Sequence, residues 1–284
     1  MTQHQVQLPD NTRLPCIGQG TWFMGETPAQ FTGEVNALRA GLDLGLTLID
    51  TAEMYADGGA ERVVGEAIRG RRDEVFLVSK VYPWNAGGLR AIKACEESLQ
   101  RLGTETIDLY LLHWRGDIPL QETVKAMAQL MAQGKIKRWG VSNLDTADMA
   151  ALWRVAGGDA CMTNQVLYHL ASRGIEYDLL PWCRERGVPV MAYCPLAQAG
   201  RLRSGLMAHP RLCALADNLN ITVAQLLLAW VVRQPGVMAI PKAATTAHVA
   251  ENARVVDICL PSSASEELDT LFAPPVRKMP LEMV

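Results

Sequence analysis

Long apolar runs are missing from this 284-residue chain: the longest, Leu226 to Val232, has seven residues, far short of the roughly 20 that span a bilayer. The amino terminus, Met-Thr-Gln-His-Gln-Val-Gln-Leu, has neither a basic nor an apolar stretch, so a cytoplasmic protein with no membrane partner is expected. Excess charge is missing too. Lys and Arg number 27 against 30 Asp and Glu, and a formal charge of −3 offers no basic field to gather a nucleic acid. The seven cysteines include no C-x-x-C pair and cannot all pair within one chain, so they read as free thiols in a reducing compartment. His169 and His209 belong to no H-x-x-x-H or Cys/His cluster, and no metal is expected. No low-complexity tract or Pro/Gly-rich linker divides the chain, which argues for a single domain, 1–284; a monomer is expected.

What does recur is a short aliphatic run followed by a longer stretch with helical spacing. The strand candidates are Ile17 to Gly20, Leu46 to Asp50, Val75 to Lys80, Ile107 to His113, Ile136 to Asn143, Cys161 to Gln165, Val188 to Pro195 and Val237 to Lys242. Helices are expected over Pro28 to Leu44, Ala60 to Arg69, Gly88 to Leu102, Pro119 to Gln133, Thr146 to Val155, Ile175 to Arg186 and Thr222 to Gln234. Thr27-Pro28 and Ile118-Pro119 put proline where a missing N–H costs nothing, and Thr222-Val-Ala-Gln225 fits a capping box. Eight βα units predict an α/β fold, a (β/α)8 TIM barrel with its active site at the C-terminal ends of the strands. The first sixteen residues break the rhythm and read as a β-hairpin closing the bottom of the barrel.

That geometry says where to look. The strand runs end in Asp50, Lys80, His113, Ser142-Asn143, Asn164-Gln165, Tyr193 and Lys242. Each polar end has a bland reading as a strand stop, but Asp, Lys and His after successive strands are complementary acid–base types. Tyr55, five residues past Asp50, can return a phenol over the same mouth. A phenol with an ordinary pKa near 10 is a poor acid, and an adjacent ammonium is expected to lower that value. A carboxylate would hold the ammonium, and a histidine would orient a carbonyl. Such a site polarises and protonates C=O, and it needs hydride from outside, as from a nicotinamide. Gly18-Gln-Gly20-Thr-Trp-Phe23 fails the G-x-G-x-x-G pattern and no G-x-x-x-x-G-K-[ST] loop is present, which leaves the last βα connection around Lys242 as the best anion site.

Ile17-Gly-Gln-Gly-Thr-Trp22, Asp50-Thr-Ala-Glu-Met-Tyr55, Glu61-Arg-Val-Val-Gly-Glu-Ala-Ile68, Ser79-Lys80, Asp108-Leu-Tyr-Leu-Leu-His113, Gly140-Val-Ser-Asn143, Asn164-Gln165 and Ile240-Pro-Lys242 together resemble the aldo/keto reductase superfamily, from about Leu14 to Asn252. The resemblance implies Tyr55 as general acid, Lys80 and Asp50 tuning it, and His113 orienting the carbonyl. It implies an extended NADPH. Gly20, Thr21, Trp22 and Asp50 would lie near its ring, with Ser142, Asn143 and Gln165 on the carboxamide and Tyr193 stacked on the nicotinamide. Pro195, Leu196, Lys242, Ala243, Thr245, His248, Glu251 and Asn252 would serve the rest of the cofactor.

Two departures stand out. Ala243 and His248 occupy positions where many NADPH-specific members carry serine and arginine, so NADPH is expected with NADH use left open. The connection Trp114-Arg-Gly-Asp-Ile118 and the tail Ala273 to Val284 are short, which predicts an open substrate pocket walled by Trp22, Met54, Tyr82, Trp84, His113 and Trp114. Similarity to short-looped bacterial members implies small aldehydes and ketoaldehydes, methylglyoxal included. Two alternatives compete: a Schiff-base aldolase acting through Lys80, and a non-catalytic nicotinamide-binding partner protein.

Overall fold

In a computed structural model that describes residues 5–284, eight short parallel strands form one sheet, preceded by an antiparallel hairpin. The hairpin is β1 (Gln5–Gln7) and β2 (Arg13–Pro15). The sheet strands are β3 (Gln19–Gly20), β4 (Leu48–Asp50), β5 (Phe76–Val81), β6 (Leu109–Leu112), β7 (Trp139–Ser142), β8 (Asn164–Leu167), β9 (Val190–Tyr193) and β10 (Val237–Ala239). Eleven α-helices accompany them among the described residues: α1 (Pro28–Asp43), α2 (Gly59–Ile68), α3 (Gly88–Leu102), α4 (Leu120–Ala132), α5 (Thr146–Trp153), α6 (Leu179–Glu185), α7 (Arg201–Met207), α8 (Pro210–Asn218), α9 (Val223–Val232), α10 (Thr246–Ala253) and α11 (Ser262–Leu271).

Each strand pairs in parallel with its chain neighbour, and the sheet closes on itself where Ile17 bridges Ala239 and Gly20 bridges Lys242. Gly18 N–H donates to Ala239 O and Ala239 N–H to Cys16 O, both at 2.8 Å. This is the expected (β/α)8 barrel. Helices cover its outside, so residues such as Leu48, Ile49, Leu77, Val78 and Leu111 have no exposed surface, and the strands are largely apolar on both faces. The hairpin buries Val6 and Leu14, paired across it, and Asp10 at its turn reaches Arg138, just before β7, at 2.5 Å. It therefore lies across the end of the barrel where strands begin.

Local chemistry explains the boundaries. Thr222 and Gln225 form the capping box in both directions, at 3.1 and 3.0 Å, and α9 is buried from Gln225 to its end. α6 starts at Leu179 and not at Ile175, because Pro181 tolerates only the first turn of a helix; a short 3-10 turn, Gly174–Glu176, precedes it. α7 and α8 lie in the stretch after β9 for which no helix was expected.

Gly20 sits on the closing seam, where an added Cβ would fall 2.6 Å from Ile240 O, a backbone atom that cannot move aside cheaply. Gly20→Ala is expected to destabilise the fold by about 1–3 kcal/mol, measured by urea unfolding. Unchanged stability would mean that the seam is looser than this contact requires.

Candidate active site

Asp50 is the last residue of β4 and pairs with Val78 of β5; side chains two apart on a strand share a face, so Lys80 points to the same side as Val78 and meets Asp50. Lys80 Nζ donates to Asp50 Oδ2 at 2.8 Å, to Thr51 O at 2.8 Å and to Tyr55 Oη at 3.1 Å. An ammonium has three protons, and each finds an acceptor. Lys80 is wholly buried. A Schiff-base nucleophile needs a free amine lone pair aimed at the substrate, which this arrangement does not present.

Asp50 Oδ1 accepts from Gln165 Nε2 at 2.7 Å, tying β4 to β8 across the barrel. His113, just past β6, stands edge-on to the Tyr55 ring with centroids 5.8 Å apart. Tyr55 begins a turn in which Ala56, Asp57 and Gly58 all take left-handed conformations, φ 50°, 49° and 79°. For residues with a Cβ, that region costs of order 1–3 kcal/mol each.

Burial pushes the Asp50 carboxyl up and the Lys80 amine down, and each is pulled back by the other. Burial, reinforced by the Asp50 charge, holds the Tyr55 phenol well above its usual value. The expected lowering is thereby corrected. Lys80 is already matched by Asp50, so the phenol faces an ion pair in a dry pocket and not a lone cation. Tyr55 Oη accepts from Lys80, which leaves its own O–H to donate into the cavity. Burial, with the Lys80 charge, pushes His113 down to about 2, so the imidazole is neutral. Its Nδ1 is buried without a partner. A buried N–H left unpaired costs more than a lone pair, which places the ring proton on Nε2.

Asp50, Tyr55 and His113 open on a cavity of about 390 Å³, which Lys80, wholly buried behind them, does not line. Gly20, Thr21, Trp22, Asp50, Met54, Tyr55, His113, Trp114, Ser142, Asn143, Gln165, Tyr193, Pro195, Leu196 and Lys242 all line it. Asn143 donates to His113 O at 3.1 Å and accepts from Tyr193 Oη at 2.9 Å, so β7 and β9 are linked across its floor. Tyr82 and Trp84 do not line it, contrary to expectation. The 3-10 turn Pro83–Asn85 turns them outward: they stack at 4.3 Å and meet Trp114 edge-on at 5.9 and 5.7 Å, so they support Trp114 from behind. Ala243, Thr245, His248, Glu251 and Asn252 follow Lys242 outside the lining, and the Glu251 carboxylate is engaged by Thr222 Oγ1.

Several lining residues were not foreseen: Phe23, Arg203, Met283 and Val284. The short tail thus reaches the pocket, which is less open than expected. Lys278 bonds Asp178 at 2.9 Å, and Glu282 meets Ser172 Oγ. Only the Met-Val apolarity of the tail hinted at a place in the pocket, where both residues line the cavity while staying half exposed. Among the described residues, no cluster of His, Cys, Asp and Glu is arranged to hold a metal, and no single helix is long and apolar enough to cross a membrane.

A closed parallel barrel with a phenol, an ammonium, a carboxylate and a neutral imidazole at its C-terminal mouth defines an oxidoreductase-type site for polarising a carbonyl. The chain belongs to the aldo/keto reductase family, whose model matches residues 16–272. It is 62% identical to methylglyoxal reductase YeaE of Escherichia coli K12 over the full length of both chains, and 32% identical to glyoxal reductase of Bacillus subtilis, covering 94% of this chain and 92% of that one. Among solved structures it matches an aldo-keto reductase of Klebsiella pneumoniae in complex with NADPH, with TM-score 0.98, 65% identity and all of both chains covered.

Because the folded protein holds His113 far below its ordinary 6.5, the unfolded chain binds the extra proton first as pH falls. The stability from this group is complete above about 6.5 and is lost towards 2. Between pH 6.5 and 4, His113→Asn should flatten the loss of unfolding free energy by up to about 1.4 kcal/mol per pH unit. His169, pushed down to about 4 by burial, adds a slope of the same sign that remains in the variant. An unaltered slope in urea titrations would show His113 is not held neutral.

Proposed function

We propose that this aldo/keto reductase reduces small aldehydes and ketoaldehydes, methylglyoxal among them, to alcohols with NADPH. In this reading residues 1–284 form one domain that works as a monomer in the cytoplasm. The observation that carries it is the Tyr55 hydroxyl, which accepts from Lys80 at 3.1 Å and so keeps its proton for the cavity.

When bound, NADPH supplies the hydride that no side chain here can. The residues present suit such a group: Arg203 and Lys242 line the same cavity as the catalytic residues, with no carboxylate partner among the described residues. Ser142, Asn143 and Gln165 would hold the carboxamide, Tyr193 would offer its ring face, and Gly20, Thr21, Trp22, Pro195 and Leu196 would line the channel. Lys242 would meet the 2′-phosphate, with Ala243, Thr245, His248, Glu251 and Asn252 at the adenosine end. The complexed Klebsiella enzyme supports the choice of NADPH.

The carbonyl oxygen would lie between two donors, the Tyr55 O–H and the His113 Nε2–H. As negative charge grows on that oxygen, Tyr55 transfers its proton, and the nearby Lys80 ammonium stabilises the phenolate left behind. The names of the E. coli and B. subtilis relatives support small dicarbonyl substrates.

Tyr55→Phe should lower kcat for NADPH-dependent aldehyde reduction by about 10²–10⁴-fold with cofactor affinity retained, as read by steady-state kinetics and NADPH fluorescence. A fully active variant defeats the assignment. His248 is exposed on the first turn of α10 and lacks arginine's fixed positive charge. His248→Arg should raise the preference for NADPH over NADH about tenfold, the worth of one charge-assisted hydrogen bond. Equal kcat/KM ratios before and after would remove His248 from the phosphate end.

A further inference from the structure

Beneath the site lies a buried polar chain that never reaches the cavity. Glu61 of α2 has no exposed surface. Its Oε1 accepts from Ser79 Oγ at 2.6 Å and its Oε2 from Arg101 Nε at 2.5 Å; Arg101 Nη2 donates to Ser98 Oγ at 3.1 Å. Ser79 immediately precedes Lys80 on β5. Arg101, near the end of α3, lies against the turn that follows Tyr55: a Cβ on Gly58 would come within 2.4 Å of Arg101 Cδ and 2.5 Å of its Nε. One carboxylate therefore holds both the strand that carries the ammonium and the brace behind the turn that carries the phenol.

The turn needs a brace. Ala56 and Asp57 sit in left-handed conformations that side chains disfavour, and such residues persist only where their surroundings leave no alternative. Tyr55 and Lys80 come from separate segments, β4's trailing loop and β5; Thr51 N–H to Val78 O at 2.9 Å, Glu53 N–H to Lys80 O at 3.5 Å and Lys80 Nζ to Thr51 O tie that loop to β5 as far as Glu53, and the turn after Tyr55 lies beyond those ties. We infer that Arg101, Glu61 and Ser79 are positioning residues that set the Tyr55–Lys80 separation. This rests on the reading of Tyr55 as proton donor. The competing account is a buried ion pair that contributes to folding alone.

Two variants separate these accounts. Arg101→Met with Glu61→Gln removes the brace without leaving a lone buried charge, and Ser79→Ala removes a single hydroxyl. Melting temperature, NADPH binding, and kcat and KM for methylglyoxal across pH are measured for each. Displacing reacting groups by even 1 Å can cost about 100-fold, so kcat should fall at least about tenfold in the double variant and about threefold in Ser79→Ala. KM and NADPH affinity should stay within about twofold, because neither contact touches the cavity. In a Tyr55→Phe background, neither change should lower the residual rate further, since the effect passes through the phenol.

If kcat and its pH profile match the parent in both variants while melting temperature falls, or if the same losses recur in the Tyr55→Phe background, the inference is overturned. Should the double variant not fold, Ser79→Ala decides. Failure of the site reading itself is visible separately, as a parent inactive with NADPH or a Tyr55→Phe variant as active as the parent.

Discussion

The buried contact between Lys80 and Asp50 is the constraint around which the rest is arranged. A lysine with no exposed surface is tolerable as an ammonium only where its charge is matched and its protons are taken, and Asp50, Thr51 O and Tyr55 Oη do both. Removing one partner from such a pair typically costs about 3–5 kcal/mol, because the other is left charged and dry. The pairing of Asp50 with Val78 satisfies this condition, and a slip of one residue would turn Lys80 to the helix side of the sheet. The register of β4 and β5 is thus set by a charge as well as by apolar alternation.

Compensation at this pair shapes the chemistry around it. Matched by Asp50, Lys80 does not strip the phenol of its proton in the resting site, and its field adds to burial in keeping His113 neutral. What faces the cavity is two neutral donors over an internally balanced pair. These four groups together carry no net charge at rest, and in the proposed reading their dipoles are aimed where negative charge would develop only during reaction. That is the condition for stabilising a transition state more than a ground state.

The barrel was legible because strands buried on both faces are continuous apolar runs, and polar residues at their ends mark one mouth. The Asp50, Lys80 and His113 positions follow from that rule without any motif. Other features depend on partners distant in the chain. Tyr82 and Trp84 look like pocket walls by composition, but Glu53, from the loop after β4, accepts the Tyr82 N–H at 2.7 Å and helps fix that loop with its aromatics behind Trp114. The tail reaches the pocket through contacts of Lys278 with Asp178 and Glu282 with Ser172, about a hundred residues apart. The acidity expected of Tyr55 erred although its Asp50–Lys80 partners were foreseen: spacing shows which charges meet, but not that burial of the phenol outweighs the field of an ammonium already matched.

Selectivity follows from how polarity is distributed along the cavity. Trp22, Met54, Trp114, Met283 and Val284 line the cavity and in the proposed reading would wall its substrate end, while the cations Arg203 and Lys242, which also line it, would serve the cofactor. Apolar walls discriminate weakly, since each methylene is worth only about 1–3 kcal/mol. With no carboxylate clamp and no charged anchor at that end, the hydrogen bonds that orient a substrate would, on this reading, converge on its carbonyl oxygen, from Tyr55 and His113. Discrimination would then rest on the carbonyl itself: one that is unhindered and electron-poor would gain the full benefit of both donors. On the proposed reading, a site of this kind would favour small, reactive aldehydes through intrinsic reactivity and access, without a pocket cut to the shape of any one of them.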